Sequence, residues 1–150
     1  MNQRAPWRKA NYQKNIARIV SPKAQRLNLE LAEEMLMMRD EVVNQALNYI
    51  RDSQRANIFR YYQSLDEERV RYYIEVLYNH LIGSVRNGDR SLMISFAQFL
   101  ANVRFSEGVK KSELCTALNV TGQVITDLLK QNRKLQKMQL LVHDYIILAL

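Results

Sequence analysis

Residues 102–130, Asn-Val-Arg-Phe-Ser-Glu-Gly-Val-Lys-Lys-Ser-Glu-Leu-Cys-Thr-Ala-Leu-Asn-Val-Thr-Gly-Gln-Val-Ile-Thr-Asp-Leu-Leu-Lys, support two incompatible folds. With a break at Asn119, which tolerates a left-handed turn, Leu114, Leu118, Val120, Ile125 and Leu128 fall where two short crossing helices need apolar contacts. Residues 112–130 are then a helix-turn-helix. Thr121 would cap a recognition helix, and Gln123, Thr126 and Lys130 would face bases and phosphates, with Asp127 repelling the backbone. Without a break, Leu114, Ala117, Leu118, Thr121, Ile125 and Leu128 form one stripe of an uninterrupted helix buried in a bundle. Gly122 inside that helix costs on the order of 1 kcal/mol relative to Ala.

Upstream of this stretch, every segment reads as helix. Ser21-Pro22 is a helix start, because serine caps orphan amides and proline at the first position loses a donor that had no partner. Leu27, Leu31, Met35, Met38, Val42, Ala46 and Tyr49 then mark one face of a long first helix, with a weak point at Asp52-Ser53 and a second piece running to about Gln63. Ser64 and Glu67 have capping-box spacing ahead of the stripe Val70, Tyr73, Ile74, Leu77, Leu81 and Val85. Asn87-Gly88-Asp89 ends that helix, and Asp89 or Ser91 caps the next, whose expected buried face is Leu92, Phe96, Phe99, Leu100 and Val103. Gly108 is placed to stop it in a left-handed conformation. Beyond Lys130 a polar bridge leads to Met138, Leu141, Val142, Tyr145 and Ile146, which resume an apolar face. The expected fold class is all-α, a bundle of about five helices with short, mostly antiparallel connections. Residues 1–21 form a basic arm, and 22–150 form the helical domain. The apolar end of the last helix has no stop signal, which predicts a chain truncated before a further domain.

Four glycines and two prolines in 150 residues, with 47% apolar content, exclude a disordered chain. The net charge of +7 sits in the first 26 residues, the arm and the start of the first helix: Arg4, Arg8, Lys9, Lys14, Arg18, Lys23 and Arg26 precede every acidic residue. The remaining 15 basic residues equal the 15 acidic ones, so the body is neutral. A solvated tail explains the arm, and attraction to nucleic acid or an acidic partner is the alternative. Cys115 is the single cysteine, which rules out an intrachain disulfide and suits a reducing cytoplasm. No apolar run reaches the length of a membrane span.

Catalytic chemistry is absent from the pattern. Glu33-Glu34 and Asp66-Glu67-Glu68 read as helix-surface and helix-start charges. Cys115 has no sequence-placed activating partner, and no glycine-rich phosphate loop occurs. There is no Cys/His grouping at metal-ligand spacing. His80 and His143 are the weak haem-ligand candidates; a lone helical histidine is more often an ordinary polar or core residue, so no cofactor is expected.

A helix ending in Arg104, then Glu107-Gly108-Val109, an acidic Glu113 and a long amphipathic helix through Leu129 resemble the N-terminal sensor domains of RsbT co-antagonist (RsbRD-type) proteins. Such domains occur in stressosome proteins and ahead of histidine kinases. The organisation of residues 24–150 is similar to that family throughout. The resemblance implies that Gly108 ends one helix while Arg104 holds the turn through carbonyls or Glu107, and it implies no catalytic residue. The expected function is a cytoplasmic, non-enzymatic sensory or regulatory input domain, homodimeric, relaying a signal through its C-terminal helix to an output domain. A DNA-binding regulator using 112–130 is the competing expectation.

Overall fold

The computed structural model describes the backbone of residues 22–131 and side chains from residue 25 onward. The basic arm, the Ser21 cap, His143 and the last apolar segment lie outside the described residues. Within them the chain is all-helical: α1 (Pro22–Met37), α2 (Arg39–Arg51), a 3₁₀ turn (Ser53–Arg55), α3 (Arg60–Ser64), α4 (Glu67–Asn87), α5 (Arg90–Ser106) and α6 (Lys111–Gln131).

The expected long first helix is divided at Met38, earlier than Asp52. The buried Tyr78 hydroxyl of α4 donates to the Met35 carbonyl one turn before the interruption. A side chain bonding to a carbonyl of the helical ladder is a recognised origin of such a break. Asp52 still ends α2 and, through its side chain, accepts from Gln54 N to start the 3₁₀ turn. The capping box at Ser64 does not form. Ser64 ends α3, and Asp66 caps α4 by accepting from Arg69 N at 2.8 Å. Gly88, at φ 62°, closes α4 in the left-handed region, and Asp89 caps α5 through Ser91 N at 2.9 Å.

The side chains gather into two buried clusters. The first joins Leu31, Met35 and Val42 to Tyr78, Leu81, Val85, Met93, Ile125, Leu128 and Leu129. The second joins Val43, Leu47 and Ile50 to Phe59, Tyr62, Val70, Ile74, Val109, Leu114 and Ala117. The helical faces expected from spacing on α4 and α6 supply most of their share of these residues, but on α2 the buried face is Val42, Val43, Ala46, Leu47 and Ile50, while the expected Tyr49 is 39% exposed. On α5 the face differs. Met93 and Arg104 are buried and Leu100 is partly buried, while Leu92 and Phe99 remain 46% and 63% exposed.

The segment that decided between the two sequence readings is one helix. α6 runs unbroken from Lys111 to Gln131, and no non-glycine residue among those described has positive φ. Asn119 is therefore an exposed helical residue and the helix-turn-helix at 112–130 is not formed. The apolar stripe on α6 spans both clusters, so a turn at Asn119 would pull one half out of its core.

Candidate functional site

A polar cluster closes one end of the bundle, where α3, α4, α5 and α6 meet. α3 is only five residues long and its N-cap, Phe59, offers no side-chain acceptor. Its orphan amides are satisfied by another helix: Glu113 Oε1 accepts from Tyr61 N at 2.8 Å and from Tyr62 N at 3.0 Å. A carboxylate at a helix N-terminus is favourable both as a charged acceptor and through the helix dipole. That partnership explains how Glu113 tolerates being 94% buried, with 6% exposure.

Beside it the turn between α5 and α6 is held by a buried arginine. Gly108, at φ 94°, lets the chain reverse, and Val109 N donates to the Arg104 carbonyl at 3.1 Å. Arg104 Nη1 lies 3.2 Å from Glu107 Oε2, and its guanidinium stacks 3.6 Å from the centroid of the Tyr73 ring. The same carboxylate oxygen is shared with a phenol: Tyr61 Oη donates to Glu107 Oε2 at 2.7 Å. On the far side of Tyr73, Arg69 Nε donates to the phenol oxygen at 3.0 Å.

These surroundings keep the phenols protonated. Burial first, then the hydrogen bond to Glu107 and its negative charge, pushes Tyr61 up to about 12. Burial also pushes Tyr62 up to about 12 against the opposing charge of Arg104. Both tyrosines act as neutral donors and packing surfaces, with no access to phenolate chemistry near neutral pH. No buried side-chain nitrogen or oxygen among the described residues lacks a partner. The cluster is thus a satisfied clamp, without a free nucleophile or base.

Two spaces adjoin the clamp. A small apolar recess of about 40 Å³ is lined by Tyr62, Tyr73, Leu100, Arg104, Leu118 and Thr121, among others. It has room for a few water-sized molecules. Outside, a groove of about 510 Å³ runs past Arg60, Lys110, Ser64 and Ser112 and is floored by Tyr61 and Glu113.

The structure separates the remaining sequence candidates. His80 is on the surface of α4, with Nδ1 2.8 Å from the Val76 carbonyl and its ring stacked on Phe96, and it lines neither of these two spaces. Among the described residues no group of His, Cys, Asp and Glu could hold a metal. Thr121 faces inward, its hydroxyl donating to the Ala117 carbonyl at 3.0 Å. Gln123 bonds Asp127 at 2.8 Å and Thr126 bonds the Gly122 carbonyl at 2.9 Å on the α6 surface, where Lys130 is also exposed. Glu113 entered the sequence pattern only as an acidic residue; nothing local marks it as the cap of α3. Comparison with family models, curated proteins and solved structures returned no match.

Proposed function

We propose that this chain is a non-enzymatic sensory or regulatory input domain of the RsbRD type, passing a change in packing along α6 to residues 132–150 and an output domain beyond. The observation that carries this reading is the span of α6. Glu113 and Leu114, in its first turn, belong to the clamp and the second cluster, while Leu128 and Leu129, in its last, belong to the first cluster. A 21-residue helix is roughly 32 Å long, so one rigid element touches both ends of the bundle. The groove floored by Tyr61 and Glu113 supplies the input side, and the clamp is the element with two arrangements.

Cluster membership also supports alternating helix directions. α4 passes from the second cluster to the first, α5 from the first to the second, and α6 back again. A homodimer through the exposed Leu27, Leu29, Leu36 and Met37 of α1 belongs to the same reading. So does a cytoplasmic setting, consistent with a single free cysteine and with no described helix long and apolar enough to cross a membrane. The stress-signalling role rests on the resemblance alone.

Hydrogen exchange of the full chain tests the relay. Glu113→Gln weakens the cap without removing volume, and the relay requires exchange in residues 132–150 to change at least about threefold. Exchange there identical to that of the unsubstituted chain, with the α3 amides loosened, overturns it.

A further inference from the structure

The apolar recess beside the clamp has a local cause. Ala117 and Thr121 of α6 are short side chains one turn apart, Leu100 and Arg104 of α5 are likewise one turn apart, and all four line the recess. Arg104 has the length to fill it, yet its guanidinium is drawn to Glu107 and over the Tyr73 ring. About 40 Å³ is left between the helices. Ile50 of α2, Tyr62 of α3 and Ile74 of α4 share the lining, so five helices meet at this one space.

The chemistry of the lining favours an apolar occupant over water. The Thr121 hydroxyl donates to the Ala117 carbonyl, Arg104 is paired with Glu107, and among the described residues no buried side-chain nitrogen or oxygen lacks a partner. An ordered water needs roughly two to four polar partners, and here they are already engaged. The wall on the α5 side is the one that gives. Of the 17 residues of α5 only Met93, near its start, and Arg104, near its end, are buried, while Phe96, Leu100 and Ala101 between them are partly buried. A segment held by so few buried side chains opens at low free-energy cost, and that opening is the way in.

We infer that this recess binds a small, uncharged, apolar molecule of the size of a dissolved gas. Its 40 Å³ lies between the roughly 10–15 Å³ that one water requires and the roughly 150 Å³ of a cavity that takes benzene. A charged ligand would have to displace Glu107 from Arg104. Affinity comes from dispersion contacts that the lining lacks while the space is empty, and from apolar surface of the ligand leaving water. The site does not depend on the relay. If both hold, an occupant touching Leu118 and Thr121 of α6 together with Tyr73 and Arg104 of the clamp is a second input beside the groove.

Methyl NMR of the full chain under increasing xenon pressure tests the site, xenon being an apolar probe of gas size. The Ile50, Ile74, Leu100 and Leu118 methyls should shift and saturate, whereas those of Leu31, Val42 and Val85, which do not line the recess, should not. Ala117→Val narrows the space and should reduce the shifts at least about fivefold. Ile74→Val removes one methyl from the lining, a change that cores tolerate, and should lower the half-saturating pressure at least about twofold. Ile74→Val alone decides if Ala117→Val does not fold. Shifts that grow without saturating, that are equal in both clusters, or that the folded variants leave unchanged overturn the site. So does magnetisation transfer from these methyls to a long-lived bound water. None of these readouts involves Glu113 or residues 132–150, so failure of the site and failure of the relay are separable.

Discussion

Replacing Glu113 by alanine should be among the most destabilising single changes available outside the apolar clusters. The side chain is 6% exposed and accepts two backbone N–H bonds, at 2.8 and 3.0 Å, from a helix whose own N-cap residue offers none. A hydrogen bond to a charged group contributes about 1.5–3 kcal/mol, and amides left without an acceptor add a desolvation penalty. Water can reach the edge of α3, since Tyr61 is only partly buried, and this recovers part of the loss. The net cost expected for Glu113→Ala is therefore about 3–4 kcal/mol. Glu113→Gln keeps the shape and one carbonyl acceptor but loses the charge and its interaction with the helix end, for about 1–2 kcal/mol. Urea unfolding followed by far-ultraviolet circular dichroism gives both values, with slopes unchanged if the native ensemble is intact. A cost below about 1 kcal/mol for the alanine variant, or a glutamine variant as damaged as the alanine one, would refute the assignment of Glu113 as the cap of α3.

Two glycines should respond oppositely to alanine. At Gly108 an added Cβ meets nothing within 4 Å, so the cost comes from φ +94° alone and should be about 1–2 kcal/mol; at Gly83, inside α4 and equally open, Gly83→Ala should stabilise by about 1 kcal/mol. Thermal unfolding midpoints moving in opposite directions would show this. Alkaline stability should follow the clamp: Tyr61 and Tyr62 titrate at about 12 in the folded chain against about 10 when unfolded, so their contribution is complete below pH ~10 and declines as pH rises towards 12. Denaturation midpoints across that range should fall less steeply in the Tyr61→Phe and Tyr62→Phe variants than in the parent chain.

The local features of the fold were written in local sequence. Gly88 and Asp89 end one helix and start the next within two residues, and most of the buried stripes of α4 and α6 follow from helical periodicity, whereas the α2 stripe drawn through Tyr49 missed the buried Val43, Leu47 and Ile50. The misassigned cap at Ser64 shows the limit of a two-residue motif: Asp66, one residue before the helix, is the better acceptor and sits in the extended conformation that a cap requires. α5 carries two overlapping stripes, and residue size favoured the wrong one. The buried stripe contains an arginine, which spacing rules assign to solvent but which Glu107 and Tyr73 neutralise inside. The clamp was legible only in its local half, Arg104 with Glu107 and Gly108. Its other half pairs Glu113 with amides 51 and 52 positions away, and no window along the chain contains both.

That distance in sequence also couples two helices. A five-residue helix without its own cap cannot persist alone, since nucleation is unfavourable and short helices gain too few bonds to offset it. α3 therefore depends on α6 for its cap and cannot keep both of its first amides paired while Glu113 is elsewhere. Any motion that lifts the first turn of α6 should expose the Tyr61 and Tyr62 amides to solvent at the same moment.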